Sequence, residues 1–491
     1  MTGFRLLGVL GALMAMTAQA NADSYAVEFV ASRNPENKGQ YRIANVEAVI
    51  TPDGGIVGLF RDQRDVGLPH GWATFLYTIE VHDQSGAELK TRYLAGGRWK
   101  VLGWQAGPVT VNYTMLLQHD RFPNDPGDDE IAYGRPYGVM WTGRALFMEG
   151  AASEEEIGVS FDAPESWRFT TPWEQVSSDG RDFTAKNTDD LLDSAFMGGE
   201  HLEEILPVAG NEARLAVAPP LHEVKPVMVS TLKHSLGAYE KLFDAPMPEA
   251  LLVIVGDASF SGGGVMGRSI SIVLGDDENN LPAYIAAHEG FHVWNVQWTL
   301  EQNNGDMEWL KEGLAEYYAN VTRLRGGDVS EEEFLAELGN RAGIYLTALQ
   351  GDSIAGGGAR KLRDAGSYNL VYSGGMMLCA ALDAEIRRAS DGAKSLDDLM
   401  RDLHRRYAGG AEPLTMNMLT DILKQEYSVS AAEFFAAHLY GGEALPLEDL
   451  LGFYGLNARI SEKDGEVAVN IERAAKADSH AIAAWRDFLL Q

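Results

Sequence analysis

Apolar and polar positions alternate along short segments in the first half of the chain. Val, Tyr, Thr and Phe take about every second position in YAVEFVAS, ATFLYTIEVHD, GPVTVNYTMLLQ and EEIGVSFDAP, and Gly, Pro, Asp and Asn lie between these segments. A period of two is typical of strands that bury one face. The pattern therefore predicts a β-sheet domain, built as a sandwich, up to residue 225.

Beyond residue 225 the apolar residues recur at steps of three and four, as in VMVSTLKHSLGAYEKLF, and this spacing predicts helices up to residue 440. EALLVIVGD and SISIVLGD interrupt them as strands, and the end of the chain predicts a hairpin turning at Asp464-Gly465 and a last helix, AIAAWRDFLL. We expect an α+β multidomain protein with a β-sandwich-like domain (23–225), a mainly helical domain (226–440) and a C-terminal segment (441–491).

The first 22 residues have the composition of a signal peptide. Arg5 precedes an apolar stretch from Leu6 to Met16, and small residues allow cleavage after Ala20 or Ala22. The alternative is a membrane anchor, but the apolar stretch is shorter than the roughly 20 residues that a span needs. The sequence therefore predicts a soluble protein that is periplasmic or secreted.

Charge limits the partners of the protein. Asp and Glu outnumber Lys and Arg by 71 to 40 in the 491 residues, which gives a formal net charge of -31. Nucleic acids and anionic membranes attract basic surfaces, so we expect neither as a partner. Cys379 is the single cysteine, so the chain has no internal disulfide. The sequence leaves the oligomeric state open.

Two histidines stand four residues apart in LPAYIAAHEGFHVWNVQW, a segment whose apolar residues predict a buried helix. Positions i and i+4 share one face of a helix, so His288 and His292 can point at one cation. Glu289 is one step further round, within reach of a water molecule bound to the metal. The alternative is that both histidines are ordinary core residues.

A second predicted helix, DMEWLKEGLAEYYANV, supplies carboxylates. Glu312 lies among its inner residues, where a carboxylate is costly unless it is paired or bound to a metal. A catalytic zinc site needs three protein ligands and one open position, and Glu312 would complete the set. Glu316, one turn later, is placed to accept a hydrogen bond from a ligand histidine, although a solvated helix face would explain it too.

The two segments HEGFHVWN and WLKEGLAEYY resemble the glycyl aminopeptidase family of zinc metallopeptidases, which are gluzincins with a thermolysin-like catalytic domain. VYSGGMMLCAALDAEIRRASDGAKSLDDLMRDL and GGEALPLEDLLGFYGL are similar to later parts of that family's catalytic domain, and GRWKVLGWQAGPVTVNYTML weakly resembles its N-terminal β-domain. The resemblance covers most of residues 40 to 456 and is strong from residue 230 onward.

The resemblance implies a peptidase with one Zn²⁺ per chain, held by His288, His292 and Glu312, and the predicted signal peptide makes it an exported one. It implies that Glu289 is the general base and that Tyr372, in YSGG, stabilises the oxyanion; without the resemblance Tyr372 would read as a core aromatic residue. The metal would activate a water molecule, which then attacks the peptide bond.

Two departures from the family pattern affect substrate recognition. Many relatives carry a glutamate that holds the free amino end of a substrate, and Met266 takes its place here. The stretch Gly263, Gly264, Val265 and Met266 could still bind substrate backbone as an added strand, or Gly262–Gly264 could be only a turn. The chain also ends too soon after Leu456 for the PDZ domain that relatives often carry, so we expect none.

These observations leave exo- and endo-cleavage open, so we expect either an aminopeptidase-like enzyme or an endopeptidase. Two alternatives remain: a non-catalytic peptide-binding protein that keeps the fold, and a zinc hydrolase with a substrate other than a peptide. Peptide or protein is the expected substrate of the main hypothesis.

Overall fold

The computed structural model describes residues 23–34, 38–59, 68–119, 132–275, 281–301, 305, 307–360, 364–410 and 412–490. The predicted signal peptide, residues 1–22, lies outside these ranges. The chain divides into two compact units: the first contains residues up to 206 together with 212–226 and 249–279, and the second contains 207–211, 227–248 and 280–491. Each unit contains segments that are not consecutive along the chain. The domain limits expected from the sequence, at residues 225 and 440, remain predictions.

The strands, in chain order, are β1 (Ser24–Ala31), β2 (Tyr41–Ile50), β3 (Ile56–Gly58), β4 (Pro69–Trp72), β5 (Leu76–His82), β6 (Glu88–Leu89), β7 (Thr91–Ala95), β8 (Arg98–Val101), β9 (Val109–Leu116), β10 (Ala132–Arg135), β11 (Gly138–Thr142), β12 (Ile157–Asp162), β13 (Arg168–Thr170), β14 (Glu174–Gln175), β15 (Asp182–Ala185), β16 (Ala195–Gly199), β17 (Leu202–Val208), β18 (Asn211–Val217), β19 (Leu251–Asp257), β20 (Gly262–Met266), β21 (Ser269–Leu274), β22 (Leu456–Lys463) and β23 (Glu466–Arg473).

The first unit is rich in strands. Its eight-stranded sheet has the order β14-β15-β12-β1-β2-β9-β5-β6 and a four-stranded sheet has the order β10-β11-β16-β13. Alternate side chains of both sheets meet in one apolar core, in which Phe29 of β1 lies 4.9 Å from Trp141 of β11, ring to ring. The predicted period of two and the predicted packing of sheet on sheet are therefore present.

A third sheet contains the two strands predicted beyond residue 225. Its order is β17-β18-β19-β21-β20, with β18, β19 and β21 parallel and β20 antiparallel to β21 at the edge. β19 and β21 are buried on both faces, which explains their nearly continuous runs of Val, Ile and Leu. Gly262–Gly264 lie in the edge strand and not in a turn.

The helices, in chain order, are α1 (Gly143–Leu146), α2 (Thr188–Leu192), α3 (Lys225–Phe243), α4 (Leu281–Asn295), α5 (Leu314–Gly326), α6 (Glu331–Ala348), α7 (Ile354–Ala359), α8 (Ala365–Asn369), α9 (Gly375–Ala389), α10 (Leu396–Tyr407), α11 (Met416–Glu426), α12 (Ala431–Phe435), α13 (Leu447–Phe453) and α14 (Ser479–Leu490). Single π-helical turns precede α5, precede α9 and follow α12, at Trp309–Gly313, Leu370–Gly374 and Ala436–Tyr440.

The second unit is built mainly from these helices. α4 packs on α5, with the rings of Phe291 and Tyr318 stacked 5.1 Å apart. β22 and β23 form the predicted hairpin around Asp464-Gly465, and α14 is the predicted last helix. The fold is thus α+β, with a β-rich N-terminal part followed by a helical part, which confirms the expected class. Among the described helices, none has both the length and the apolar character that crossing a bilayer requires.

Candidate metal centre

α4 presents both predicted histidines to one point. Every residue of this helix from Ile285 onward is buried, as its apolar sequence predicts. His288 and His292 are one turn apart, and their Nε2 atoms lie 3.1 Å from each other. Both side chains are buried. Two imidazole nitrogens therefore converge in a largely buried place.

Glu312 completes the convergence from the π-helical turn that leads into α5. Its Oε2 lies 3.4 Å from Nε2 of His288 and 3.3 Å from Nε2 of His292. The three ligand atoms form a buried group that could hold a metal ion. A tetrahedral zinc ion bound at about 2.1 Å separates its ligand atoms by about 3.4 Å, so the spacing and the donor set of two nitrogens and one oxygen both fit zinc.

Glu316 lies behind His288, as the sequence suggested. Its Oε1 is 3.2 Å from Nδ1 of His288, and the carboxylate is almost completely buried. The solvated position that was the alternative is therefore excluded by the burial of Glu316. A carboxylate on Nδ1 orients the imidazole and leaves Nε2 for a metal.

Asn295 holds the other histidine, a contact that was not predicted from the sequence. Its Oδ1 lies 2.9 Å from Nδ1 of His292, and its Nδ2 donates a hydrogen bond of 3.0 Å to the backbone carbonyl of Lys311. One amide thus ties His292 to the residue that precedes Glu312. The signal in the sequence was its spacing, since position i+3 from His292 faces the same side of α4.

The carboxylates set the electrostatics of the centre in the absence of a metal. Burial opposes a charge on His288, but the carboxylates of Glu312 and Glu316 outweigh it and raise the pKa of His288 to about 10. Burial would raise the pKa of Glu312, yet the ammonium of Lys311, 2.9 Å from its Oε1, and the imidazole of His292 hold it well below its usual value. The carboxylates of Glu312 and Glu316 therefore favour a positive charge between them, either a protonated His288 or a metal ion.

Glu289 is buried on the same helix as the two histidines. Its negative charge helps to raise the pKa of His288. The same charge adds to the larger effects of burial and of Glu312, which raise the pKa of Tyr372, so the carboxylate of Glu289 interacts with both side chains. The candidate base therefore lies beside the candidate ligands, as a base for an attacking water molecule must.

Tyr372 lies in the π-helical turn Leu370–Gly374, where its ring is nearly parallel to that of His288 at 5.9 Å. The ring of Tyr368 stacks on that of Tyr372 at 4.0 Å. Burial and the charge of Glu312 raise the pKa of Tyr372 well above its ordinary value. The hydroxyl is therefore protonated at neutral pH and can donate a hydrogen bond.

The proposed substrate-binding residues belong to β20 of the first unit. Gly263, Gly264, Val265 and Met266 pair with β21, and among the described strands none pairs with their other side, so this strand offers an edge for an added strand. Met266 is buried in an apolar cluster with Tyr133 and Met140. The side chain of Met266 therefore lies in the core. It carries no charge, so it does not replace the glutamate that many relatives have at this position.

Two family models match the sequence. The Peptidase M61 N-terminal domain matches residues 68–200, and the M61 glycyl aminopeptidase domain matches residues 283–354, a range that contains the two histidines, Glu312 and Glu316. The resemblance to the glycyl aminopeptidase family is thereby confirmed. A search of curated proteins gives no match.

Solved structures share the fold. The aminopeptidase N family protein from Idiomarina loihiensis aligns with a TM-score of 0.76 at 17% identity, over 93% of this chain and 82% of that one. The M1 zinc metallopeptidase from Deinococcus radiodurans aligns with a TM-score of 0.53 at 14% identity, over 87% and 95%. A mutant of the M1 enzyme from the same organism, bound to Tyr-Ser-Ala substrate, aligns with a TM-score of 0.51 at 14% identity, over 87% and 95%. These neighbours show the shared fold, and the matches to the two M61 family models indicate a peptidase.

Proposed function

Because both domains of the M61 glycyl aminopeptidase family have matches in the chain, we propose that it is an exported zinc-dependent peptidase. One observation carries the proposal: two imidazole nitrogens and one carboxylate oxygen converge at 3.1 to 3.4 Å in a buried place. His288, His292 and Glu312 would hold one Zn²⁺ per chain, and Glu316 would orient His288.

The chemistry follows from the groups around these ligands. When bound, zinc polarises the scissile carbonyl and makes a neighbouring water molecule more acidic. Glu289 accepts the proton of the attacking water and delivers it to the leaving nitrogen. Tyr372 keeps its proton because its pKa is raised, so its hydroxyl donates a hydrogen bond to the carbonyl oxygen as that oxygen becomes negative.

The edge strand β20 is the proposed binding element for the substrate backbone. Gly263 has no side chain and is only partly buried, and no carboxylate is present between residues 262 and 266 to pair with a free amino end. The proposed peptidase could therefore cleave either at the N-terminus of a peptide, like an aminopeptidase, or within the peptide, as an endopeptidase. Cleavage of the same peptides with free and with acetylated N-termini distinguishes them.

The test combines metal analysis with one conservative variant. The wild type should contain about one zinc per chain, and Glu289→Gln should keep that zinc but lose peptide cleavage, since only the proton acceptor is removed. Glu332→Gln, which changes an exposed glutamate on α6, is the matched control and should cleave normally. A zinc-free wild type would refute the metal centre.

The same experiment separates the two other functions. A peptide-binding protein without catalysis would bind peptides, and the wild type and Glu289→Gln would be equally inactive on a broad peptide library. A zinc hydrolase of another substrate class would contain zinc and leave every peptide intact, yet cleave a non-peptide ester or amide. Neither has a specific observation in its favour.

Export is proposed on the sequence alone, since residues 1–22 lie outside the described residues. The charged start, apolar stretch and small residues before Ala20 and Ala22 support it. N-terminal sequencing of the protein recovered from periplasm and medium should begin at Asn21 or Asp23. Recovery of the full chain from the cytoplasm would contradict export.

A further inference from the structure

Arg341 on α6 lies between two carboxylates. Its Nη1 is 3.0 Å from Oε2 of Glu316, and its Nε is 2.6 Å from Oε1 of Glu337, one turn earlier on the same helix. The side chain is only 17% exposed. The sequence predicted a role for Glu316 but not its contact with Arg341, which lies 25 residues further along the chain on a different helix.

Glu316 is held from two sides. One oxygen faces Nδ1 of His288 at 3.2 Å, and the other faces the guanidinium of Arg341. The carboxylate is 2% exposed, so water does not compete for either oxygen. A continuous series of contacts therefore runs from Glu337 through Arg341 and Glu316 to the imidazole of His288.

Tyr284 fixes the guanidinium from a third direction. The guanidinium carbon lies 5.1 Å from the centre of the Tyr284 ring, a cation–π distance. Tyr284 is one helical turn before His288 on α4, and the two rings are 6.3 Å apart. The helix that carries the ligand thus also carries a contact for Arg341, which restricts how the guanidinium can turn.

The charges around the centre are matched in pairs. Glu312 has the ammonium of Lys311 at 2.9 Å, whereas Glu316 has the guanidinium of Arg341 at 3.0 Å. Without the guanidinium, His288 alone would balance the charge of the buried Glu316, and a buried carboxylate that loses an ion-pair partner is strongly destabilised. Without Arg341, Glu316 would turn toward another donor or toward water, and His288 would lose the group on Nδ1.

We propose that Arg341 is a positioning residue for the metal centre. By holding Glu316, it fixes the ring of His288 with Nε2 directed at Glu312 and His292. The planar guanidinium suits this role because it contacts Glu316 and Glu337 through different nitrogens at once, whereas an ammonium is a point charge on a flexible stem. The role rests on the proposed zinc site and is independent of peptide cleavage.

The test measures zinc affinity, by competition with a chelator, in the full mature chain without substrate. Arg341→Met should weaken zinc binding by about 10- to 100-fold, the usual effect of removing a group that orients a ligand. Arg341→Lys should recover part of the loss. Arg401→Met, which removes an arginine paired with Asp398 on α10, is the control and should bind zinc like the wild type.

A double variant separates positioning from a general structural role. If Arg341 acts through Glu316, then Arg341→Met should cause no further loss of zinc affinity in a Glu316→Gln background. Cobalt substitution gives a second readout, since a rotated His288 shifts the visible absorption of the bound ion. Full additivity of the two variants, or zinc affinity of Arg341→Met within threefold of the wild type, would overturn the role.

Failure to fold is checked by thermal unfolding of the metal-free variants. If Arg341→Met does not fold, Arg341→Gln replaces it, with the same threefold limit deciding the outcome. A wild type that binds no zinc refutes the proposed function itself, whereas a zinc-binding wild type with an unaffected Arg341→Met refutes only the role of Arg341.

Discussion

Gly313, the last residue of one π-helical turn, and Gly375, the first residue of α9 after another, bring their backbones into direct contact. A Cβ atom on Gly313 would lie 2.5 Å from the carbonyl carbon of Gly375, and a Cβ atom on Gly375 would lie 2.9 Å from Cα of Gly313. Glu312 precedes one glycine, and Tyr372 lies in the turn that ends before the other. The close approach therefore sets the distance between a candidate ligand and a candidate oxyanion donor. π-Helical turns often occur at functional sites for this kind of reason.

We expect Gly313→Ala to push the two turns apart. The free energy of unfolding should fall by about 1–3 kcal/mol, as for other overpacked sites, and zinc affinity should weaken as Glu312 moves. Gly237→Ala is the matched control, because a Cβ there meets no atom within 4 Å and α3 should gain about 0.4–1 kcal/mol. Chemical denaturation and chelator competition measure both quantities. Equal stability of the two variants would contradict the prediction.

Zinc affinity should increase with pH. His288 binds a proton in the metal-free protein with a pKa of about 10, and a metal ion must displace that proton. Below pH 10 the apparent affinity should therefore rise by up to about tenfold for each pH unit. Protonation of His288 also contributes to the free energy of unfolding of the metal-free protein. This contribution is complete below about pH 6.5 and is lost as the pH rises toward 10. Titrations with zinc at pH 6, 7 and 8 test the direction; affinity that does not change with pH would count against it.

Asn295→Ala should loosen the second histidine. It removes the partner of His292 Nδ1 and of the Lys311 carbonyl, so we expect about tenfold weaker zinc binding and a loss of about 1–3 kcal/mol in stability. Asn295→Asp keeps the acceptor for His292 and loses the donor, so it should retain more zinc affinity than the alanine variant. The reverse order of affinities would show that the contact with Lys311 matters more.

Tyr372→Phe should act on catalysis and not on the metal. Loss of one hydrogen-bond donor to a developing oxyanion reduces kcat by about 10²- to 10³-fold, with zinc content unchanged. Tyr368→Phe keeps the stacked ring, 4.0 Å from that of Tyr372, and is the control with an expected small effect. Steady-state kinetics on a cleaved peptide measure both. A kcat within threefold of the wild type for Tyr372→Phe would remove this residue from the mechanism.

The first unit should lose stability in acid through His119. Burial lowers the pKa of this histidine to about 3, and it accepts a hydrogen bond of 3.1 Å from the N–H of Ala132. His119 takes up a proton near pH 6.5 in the unfolded chain but stays neutral in the folded chain until about pH 3. The free energy of unfolding therefore falls, as the pH is lowered from 6.5 toward 3, by up to about 1.4 kcal/mol for each pH unit.

His119→Phe removes this titration and keeps a ring against Phe75, so the acid slope of its unfolding free energy should be smaller than that of the wild type. His222→Asn, which replaces a histidine whose side chain is 64% exposed, is the control. Urea unfolding at pH 7, 6 and 5 gives the slopes. Identical slopes for wild type and His119→Phe would rule out His119 as the cause.

Local patterns predicted much of this protein. The period of two in β1 and β9, the helical spacing in α3 and the turn at Asp464-Gly465 follow from backbone geometry that neighbouring residues specify among themselves. The i to i+4 relation of His288 and His292 is of the same kind, because a single helix fixes it.

Tertiary packing determined what those patterns leave undefined. Gly262–Gly264 could be a turn or a strand by sequence, and pairing with β21 decided it. Arg341 comes to Glu316 only because α6 packs beside the metal centre, and Gly313 meets Gly375 across 62 positions of chain. Sequence by itself therefore determined which donor atoms were available and on which face of a helix they stand. Their convergence, and the residues that hold them in place, depend on long-range packing, whose energy comes from burying surfaces that are far apart along the chain.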